Sequence, residues 1–306
     1  MHPPVALLLH PAARIGWTEF TVHPSTVLGL VGLAALYGRL DSRKPSGGSG
    51  VSGEGFRVQP ETLDSRLQTP HLVLGPSRAQ RVMFYGALVL TFFSLNGWLH
   101  DLSDYYLFSA HMVQHLMLTL VVPPLLIMGT PAWMFREATR YKPVAAIARA
   151  VTTAPRTFLI FSVVLAVWHL PPVYETAMEN HPIHIVQHLM FMVAATLMWW
   201  PVLSPLPELP RISYPLQMLY LFLLTTPMSL VAICIGYADS ILYPFYASAP
   251  RVLGITPLQD QLIGALIMWV PGGLFFFAII SVVFFRWQAA GGEDSVASAQ
   301  VGLGTR

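Results

Sequence analysis

His111-Met112-Val113-Gln114-His115-Leu116-Met117 opens a long apolar run, and His184-Ile185-Val186-Gln187-His188-Leu189-Met190 opens another, 73 residues later. Two histidines four residues apart fall on one face of a helix, about 6 Å apart along its axis. Each stretch therefore aims two imidazoles at one place, at the start of a segment apolar enough for a membrane. The spacing suits a metal ion or a haem.

Composition supports the membrane setting. Apolar residues make up 54% of the 306-residue chain and charged residues only 10%, against about 25% charged in a soluble domain. With 8 Trp, 17 Phe and 11 Tyr, the chain carries more apolar surface than one soluble core would bury. The lipid bilayer is the natural solvent for it. Met1 to Arg14 has a short apolar patch and no basic start, which argues against a cleaved signal peptide. The single cysteine, Cys234, rules out an intrachain disulfide and a Cys-x-x-Cys motif.

The expected fold is all-α: an integral membrane bundle of seven transmembrane helices near residues 22–40, 82–99, 107–130, 156–174, 183–203, 214–237 and 260–285. Each needs about 20 residues to cross at about 1.5 Å per residue. The first is the weakest, a short apolar stretch interrupted by glycines. Pro123-Pro124 falls mid-span and should kink its helix, whereas Pro171-Pro172 marks an exit into a loop. The organisation is a first segment (1–40), a Gly/Ser-rich cytoplasmic linker (41–80) around Lys44-Pro45-Ser46-Gly47-Gly48-Ser49-Gly50, a six-helix core (81–287) and a disordered cytoplasmic tail (288–306).

Charge orients this bundle. Of the 17 Lys and Arg, all but Arg14 and Arg251 fall in the connections on one side. The positive-inside rule then places the N-terminus outside and the C-terminus in the cytoplasm. The other side carries Glu19, Asp101, Asp104, Glu175, Glu179, Asp239 and Asp260. That acidic outer face would draw cations and offers nothing to nucleic acid.

With this topology six histidines share one depth. His100 ends the second span, His111 and His115 begin the third, His169 ends the fourth, and His184 and His188 begin the fifth. Trp98-Leu99-His100 before the first pair matches Trp168-His169 before the second, as a parallel internal duplication of two helical hairpins would. A lone histidine on an apolar helix is commonly an interhelical hydrogen-bonding residue. Four imidazoles buried together are costly unless they pair or bind something. His111, His115, His184 and His188 are therefore expected to form one metal site, with His100 and His169 as ligands where the ion arrives or leaves. Gln114 and Gln187 read as interhelical contacts, and the 13 methionines mainly as packing. Asp260, a carboxylate at the edge of a span, and Cys234 are possible additional ligands.

The ordered series Trp98-x-His100, His111-x-x-Gln114-His115-Leu116, Trp168-His169-x-Pro171, Tyr174, His184-x-x-Gln187-His188-Leu189, Trp199-Trp200-Pro201 and Tyr243-Pro244-x-Tyr246 resembles the multi-span CtaG family of cytochrome c oxidase assembly factors. So does Pro257-Leu258-x-Asp260-Gln261-x-x-Gly264-x-x-Ile267-Met268-Trp269-x-Pro271-Gly272. The resemblance runs from about Trp17, through His23-Pro24 and Tyr37, to Trp287. It implies a multi-pass protein of the bacterial plasma membrane, without catalytic residues, that a caa-type oxidase needs to become active. Copper delivery or insertion is the implied chemistry, with oxidase subunits and a copper chaperone as partners. Neutral imidazole binds either copper oxidation state, and a site open to a loop can pass the ion on by ligand exchange.

Two other classes compete. Inward-facing histidines could ligate haem in a membrane cytochrome or haem-handling protein. A di-iron oxygenase would call for carboxylates or more histidines, and those of the membrane desaturase type face the cytoplasm. A zinc protease is disfavoured because neither repeat holds the glutamate of His-Glu-x-x-His.

Overall fold

The computed structural model describes residues 20–42 and 75–303, with side chains up to residue 291. Of the Gly/Ser-rich linker expected at 41–80, residues 43–74 lie outside the described residues. Those described are mainly helical, with no strand among them. In chain order the helices are α1 (Pro24–Ser42), α2 (Arg78–Ser94), α3 (Trp98–Tyr105), α4 (Phe108–Leu116), a π-helical turn (Met117–Val121), α5 (Val122–Gly129), α6 (Ala132–Thr139), α7 (Lys142–Val151), α8 (Ala154–Trp168), α9 (Pro171–Glu179), α10 (His181–Leu203), α11 (Tyr214–Gly236), α12 (Pro244–Ala247) and α13 (Pro257–Leu303). Helix α13 continues through residues 288–303, where the sequence reading places a disordered tail.

Among the described residues four helices are long and apolar enough to cross a membrane: Phe108–Gly129, His181–Leu203, Tyr214–Gly236 and Pro257–Gly291. The number rises to six if each of two bent pairs is one span, α2 with α3 at 45° and α7 with α8 at 79°. Against the seven spans expected from the sequence, four to six helices meet this measure. The shortfall is α1, whose glycines and whose Arg39 and Asp41 dilute its 19 residues.

The two proline pairs fall in different settings. Pro171 and Pro172 start α9 instead of leading into a loop, since a first-turn proline loses no helical hydrogen bond. Pro123 and Pro124 do not break their span, which is continuous from Phe108 to Gly129. Their effect is absorbed one turn earlier by the π-helical turn, in which Val122 N–H bonds to Met117 O. The Thr119 carbonyl then has no backbone donor in either register, because residues 123 and 124 are both prolines. The indole Nε1–H of Trp199 on α10 supplies one at 3.0 Å.

Packing brings the histidine-bearing ends together. Helix α10 lies against α8 and α5, α13 against α11 and α4, and α2 against α5. At the far end Tyr220 Oη donates to Met198 O at 2.8 Å and meets Thr157 Oγ1 at 3.0 Å, joining α11, α10 and α8. Gly264 lets α13 approach α4, since a Cβ there would lie 2.4 Å from the Phe108 ring. At the α2–α3 break Gly97 has φ 68°, and its N–H donates to Thr21 O at 2.9 Å. A Cβ at that position would run into Phe20 at 2.2 Å, so the turn requires glycine twice over.

Trp199→Phe keeps most of the apolar contact but leaves the Thr119 carbonyl unpartnered. It should destabilise the bundle by about 1–3 kcal/mol, read as a lowered melting temperature of the detergent-solubilised protein, whereas Phe277→Leu on the exposed face should change it little.

Candidate metal centre

Every residue of the centre is placed by a helix terminus at one end of the bundle. Asp260, fully buried in the first turn of α13, caps α4: Oδ2 accepts from Phe108 N–H at 2.7 Å, and Oδ1 accepts from Ser109 N–H at 3.2 Å and Ser109 Oγ at 2.5 Å. A carboxylate there also opposes the positive end of the α4 dipole. The cap fixes the helix one turn before His111. On α10 the corresponding cap is Asn180, whose side chain accepts from Ile183 N–H at 3.4 Å, one residue before His184.

The two helices turn their histidines toward each other. One ring nitrogen from each of His111, His184 and His188 can be chosen so that all lie within 4.8 Å of one another, and all three residues are buried. His115 stands beside this triad, its ring 4.2 Å from His111 and 5.5 Å from His188. His169 follows at 6.0 Å from His115. Its Nδ1 lies 2.7 Å from Leu165 O, which fixes the ring. The ring nitrogens of His111 and His115, and Nε2 of His169, His184 and His188, are buried without a hydrogen-bond partner. Such a concentration of orphaned imidazole nitrogens fits a soft or borderline metal ion, which neutral imidazole binds through a lone pair.

His100 is held from both sides. Its Nδ1 lies 3.2 Å from Gln114 Nε2, and its Nε2 lies 3.3 Å from Asp104 Oδ2. The same carboxylate oxygen lies 3.2 Å from His184 Nδ1. A neutral His184 that donates Nδ1–H to Asp104 presents its Nε2 lone pair to the triad, as metal-ligating histidines commonly do. Ser103 Oγ completes the carboxylate shell at 2.8 Å from Asp104 Oδ1. Sequence reasoning left Asp104 among the acidic loop residues; its signal was the His100-x-x-x-Asp104 spacing, the same i, i+4 relation that marked the histidine pairs.

The two glutamines differ. Gln114 donates to Ser94 O at 2.7 Å and accepts from Ser103 Oγ at 3.1 Å, so besides touching His100 it ties α4 to α2 and α3. Gln187 is fully buried with neither amide atom partnered. Asp260 is occupied as a helix cap, and Cys234 is exposed and outside the triad.

Tyrosines close the centre laterally. Tyr174 lies 5.3 Å from the His111 ring, and its hydroxyl meets that of Tyr246 at 3.0 Å. Tyr246 donates to Ser103 O at 2.6 Å, and Tyr243 to His169 O at 2.9 Å. The segment bearing α12 is thereby strapped over α3 and α9.

The family model for the cytochrome c oxidase caa3 assembly factor (Caa3_CtaG) matches residues 66–290, most of the chain and the whole of the histidine cluster. The chain belongs to this family. No curated protein and no solved structure matches the chain. As a caa3 assembly factor the chain acts on behalf of cytochrome c oxidase, and its several apolar helices suit a membrane protein.

One titrating contact at the rim of this assembly factor is testable. Phe245 N–H donates to the Glu175 carboxylate at 3.0 and 3.3 Å, joining α12 to α9. Burial pushes the Glu175 carboxyl up from 4.5 to about 7, only partly opposed by that hydrogen bond. A folded-state value above the unfolded one means the contribution is full below about pH 4.5 and is lost as pH rises through about 7. Melting temperature should therefore fall between pH 5 and pH 8 by more in the native protein than in Glu175→Gln.

Proposed function

We propose that this assembly factor carries copper for a caa-type cytochrome c oxidase, holding it in the buried histidine cluster near the outer membrane face. The observation that carries the reading is the triad of His111, His184 and His188, with donor atoms within 4.8 Å and unpartnered buried nitrogens. His115 is close enough to serve as a fourth ligand, and His169 extends the set inward. Copper is the cargo. The donor set is all imidazole with one carboxylate, Asp104, behind it. One negative charge balances a monovalent ion in a medium that penalises net charge, which favours Cu(I).

The orientation rests on the distribution of Lys and Arg, with the histidine end outside and the basic connection from α5 to α8 in the cytoplasm. Helix α1 would make the seventh span if it inserts. The succession of long helix, short helix and long span occurs twice, as α2, α3 and Phe108–Gly129, and as α8, α9 and α10, with histidines at matching points. This supports a parallel duplication. Oxidase subunits and a copper chaperone are the partners on this reading, and the site is the bacterial plasma membrane.

Haem is the second reading. A bis-histidine haem needs a flat slot between two axial rings, and here the rings pack against other imidazoles at 4.2 to 5.5 Å. That crowding favours a bare ion.

His111→Ala/His188→Ala should leave the protein in the membrane yet lower both its copper content and cellular oxidase activity by at least about tenfold, while Met128→Leu stays near the native level. Copper analysis of the purified protein and oxidase assays on membranes check this. Native copper content and oxidase activity in the double variant would overturn the proposal, and a Soret band insensitive to copper chelation would point to haem. Asp104→Asn retains an acceptor for His184 but removes the charge, and should weaken copper binding by about 10- to 100-fold without unfolding the protein.

A further inference from the structure

Outside the triad the bundle opens into a cleft of about 510 Å³, whose lining includes His23, Asp101, Asp104, Glu179, His181 and His184. We propose that this cleft is a second, outer cation station, completed by the segment before α1, which captures copper and passes it inward to the triad. The inference rests on the copper reading above and adds a site to it.

The segment is held in place by specific contacts. Gly97 N–H donates to Thr21 O at 2.9 Å, His23 N–H to Asn96 Oδ1 at 2.6 Å, and Thr21 Oγ1 to Asp101 Oδ1 at 2.5 Å. These bonds set the His23 ring 4.3 Å from His100 and 5.6 Å from His181. Three histidines from three separate elements thus meet at the mouth: the segment before α1, α3 and the first residue of α10.

Among the described residues the lining carries three carboxylates and no Lys or Arg, so their field attracts cations and repels anions. It also includes Met178, a thioether that suits Cu(I). The cleft and the triad share a wall. His184 lines the cleft, is 5% exposed, and has an unpartnered Nε2. Asp104 lines the cleft as well and lies between His100 and His184. An ion held at the mouth therefore meets the triad's own ligand as its next neighbour, and transfer is ligand exchange with no change of oxidation state. Each step forms one copper–nitrogen bond as another is released.

The test is titration of the full-length purified protein with Cu(I) against a colorimetric chelator, together with stopped-flow loading. The native protein should bind two ions. His23→Ala/His181→Ala should keep the inner ion, lose the outer one and load at least about tenfold more slowly. His111→Ala/His188→Ala should lose the inner ion and keep the outer. His23→Gln/His181→Asn, which keeps hydrogen-bonding capacity, repeats the first experiment if the alanine variant does not fold. A native protein that binds no Cu(I) overturns both proposals. One bound ion, with stoichiometry and loading rate unchanged in either His23/His181 variant, overturns the outer station and leaves the triad standing.

Discussion

An imidazole carried into a membrane bundle must find partners for its two ring nitrogens, because no water is there to supply them. That requirement governs the arrangement at the histidine end. His100 meets it at Nδ1 with Gln114 and sets its Nε2 only near the Asp104 carboxylate, and His169 meets half of it with a backbone carbonyl. His111 and His115 meet it with nothing from the protein. The elements around them are fastened by other means: Asp260 caps α4, Tyr246 straps α12 to α3, and Gln114 ties α4 to α2. The rigid shell and the unsatisfied interior belong together, since a shell able to relax would let the imidazoles pair off.

Asp260 shows how distant parts of the chain depend on that shell. It lies 151 and 152 residues from the backbone groups it caps. Helix α13 is therefore more than a closing span, because its first turn sets the position of the helix that presents His111 and His115. Gly264, one turn later, sets how closely the two helices approach. A ligand role for Asp260 would compete with three hydrogen bonds it already accepts.

Local pattern made much of this legible in the sequence. The i, i+4 histidine pairs, their repetition and the tryptophan-histidine landmarks were enough to name His111, His184 and His188 before any coordinates. What stayed hidden needed long-range geometry. Nothing within the sequence near Asp104 says that its carboxylate reaches His184, and nothing near His23 says that it faces His100 and His181. The proline pair made a disturbed helix legible, but not its remedy: the freed Thr119 carbonyl is satisfied by Trp199, 80 residues away, and the helix runs on. Helix α1, the weakest of the apolar segments in the sequence, is also the one that falls short of the length-and-apolarity measure, because of its charged end and glycines.

The line of imidazoles also has an end, and the end matters for bioenergetics. From the cleft the rings succeed one another as far as His115 and His169, where Phe191 lies 4.6 and 5.9 Å from them. Deeper along α10, Trp199 stacks on Phe276 at 6.0 Å, both almost completely buried. Chains of histidines through a membrane are proton conductors, and a respiratory membrane stores its energy as a proton gradient. An aromatic floor ends this column: on the copper reading proposed above the ion would enter and leave by the cleft, and among the described residues the succession of imidazoles stops at Phe191.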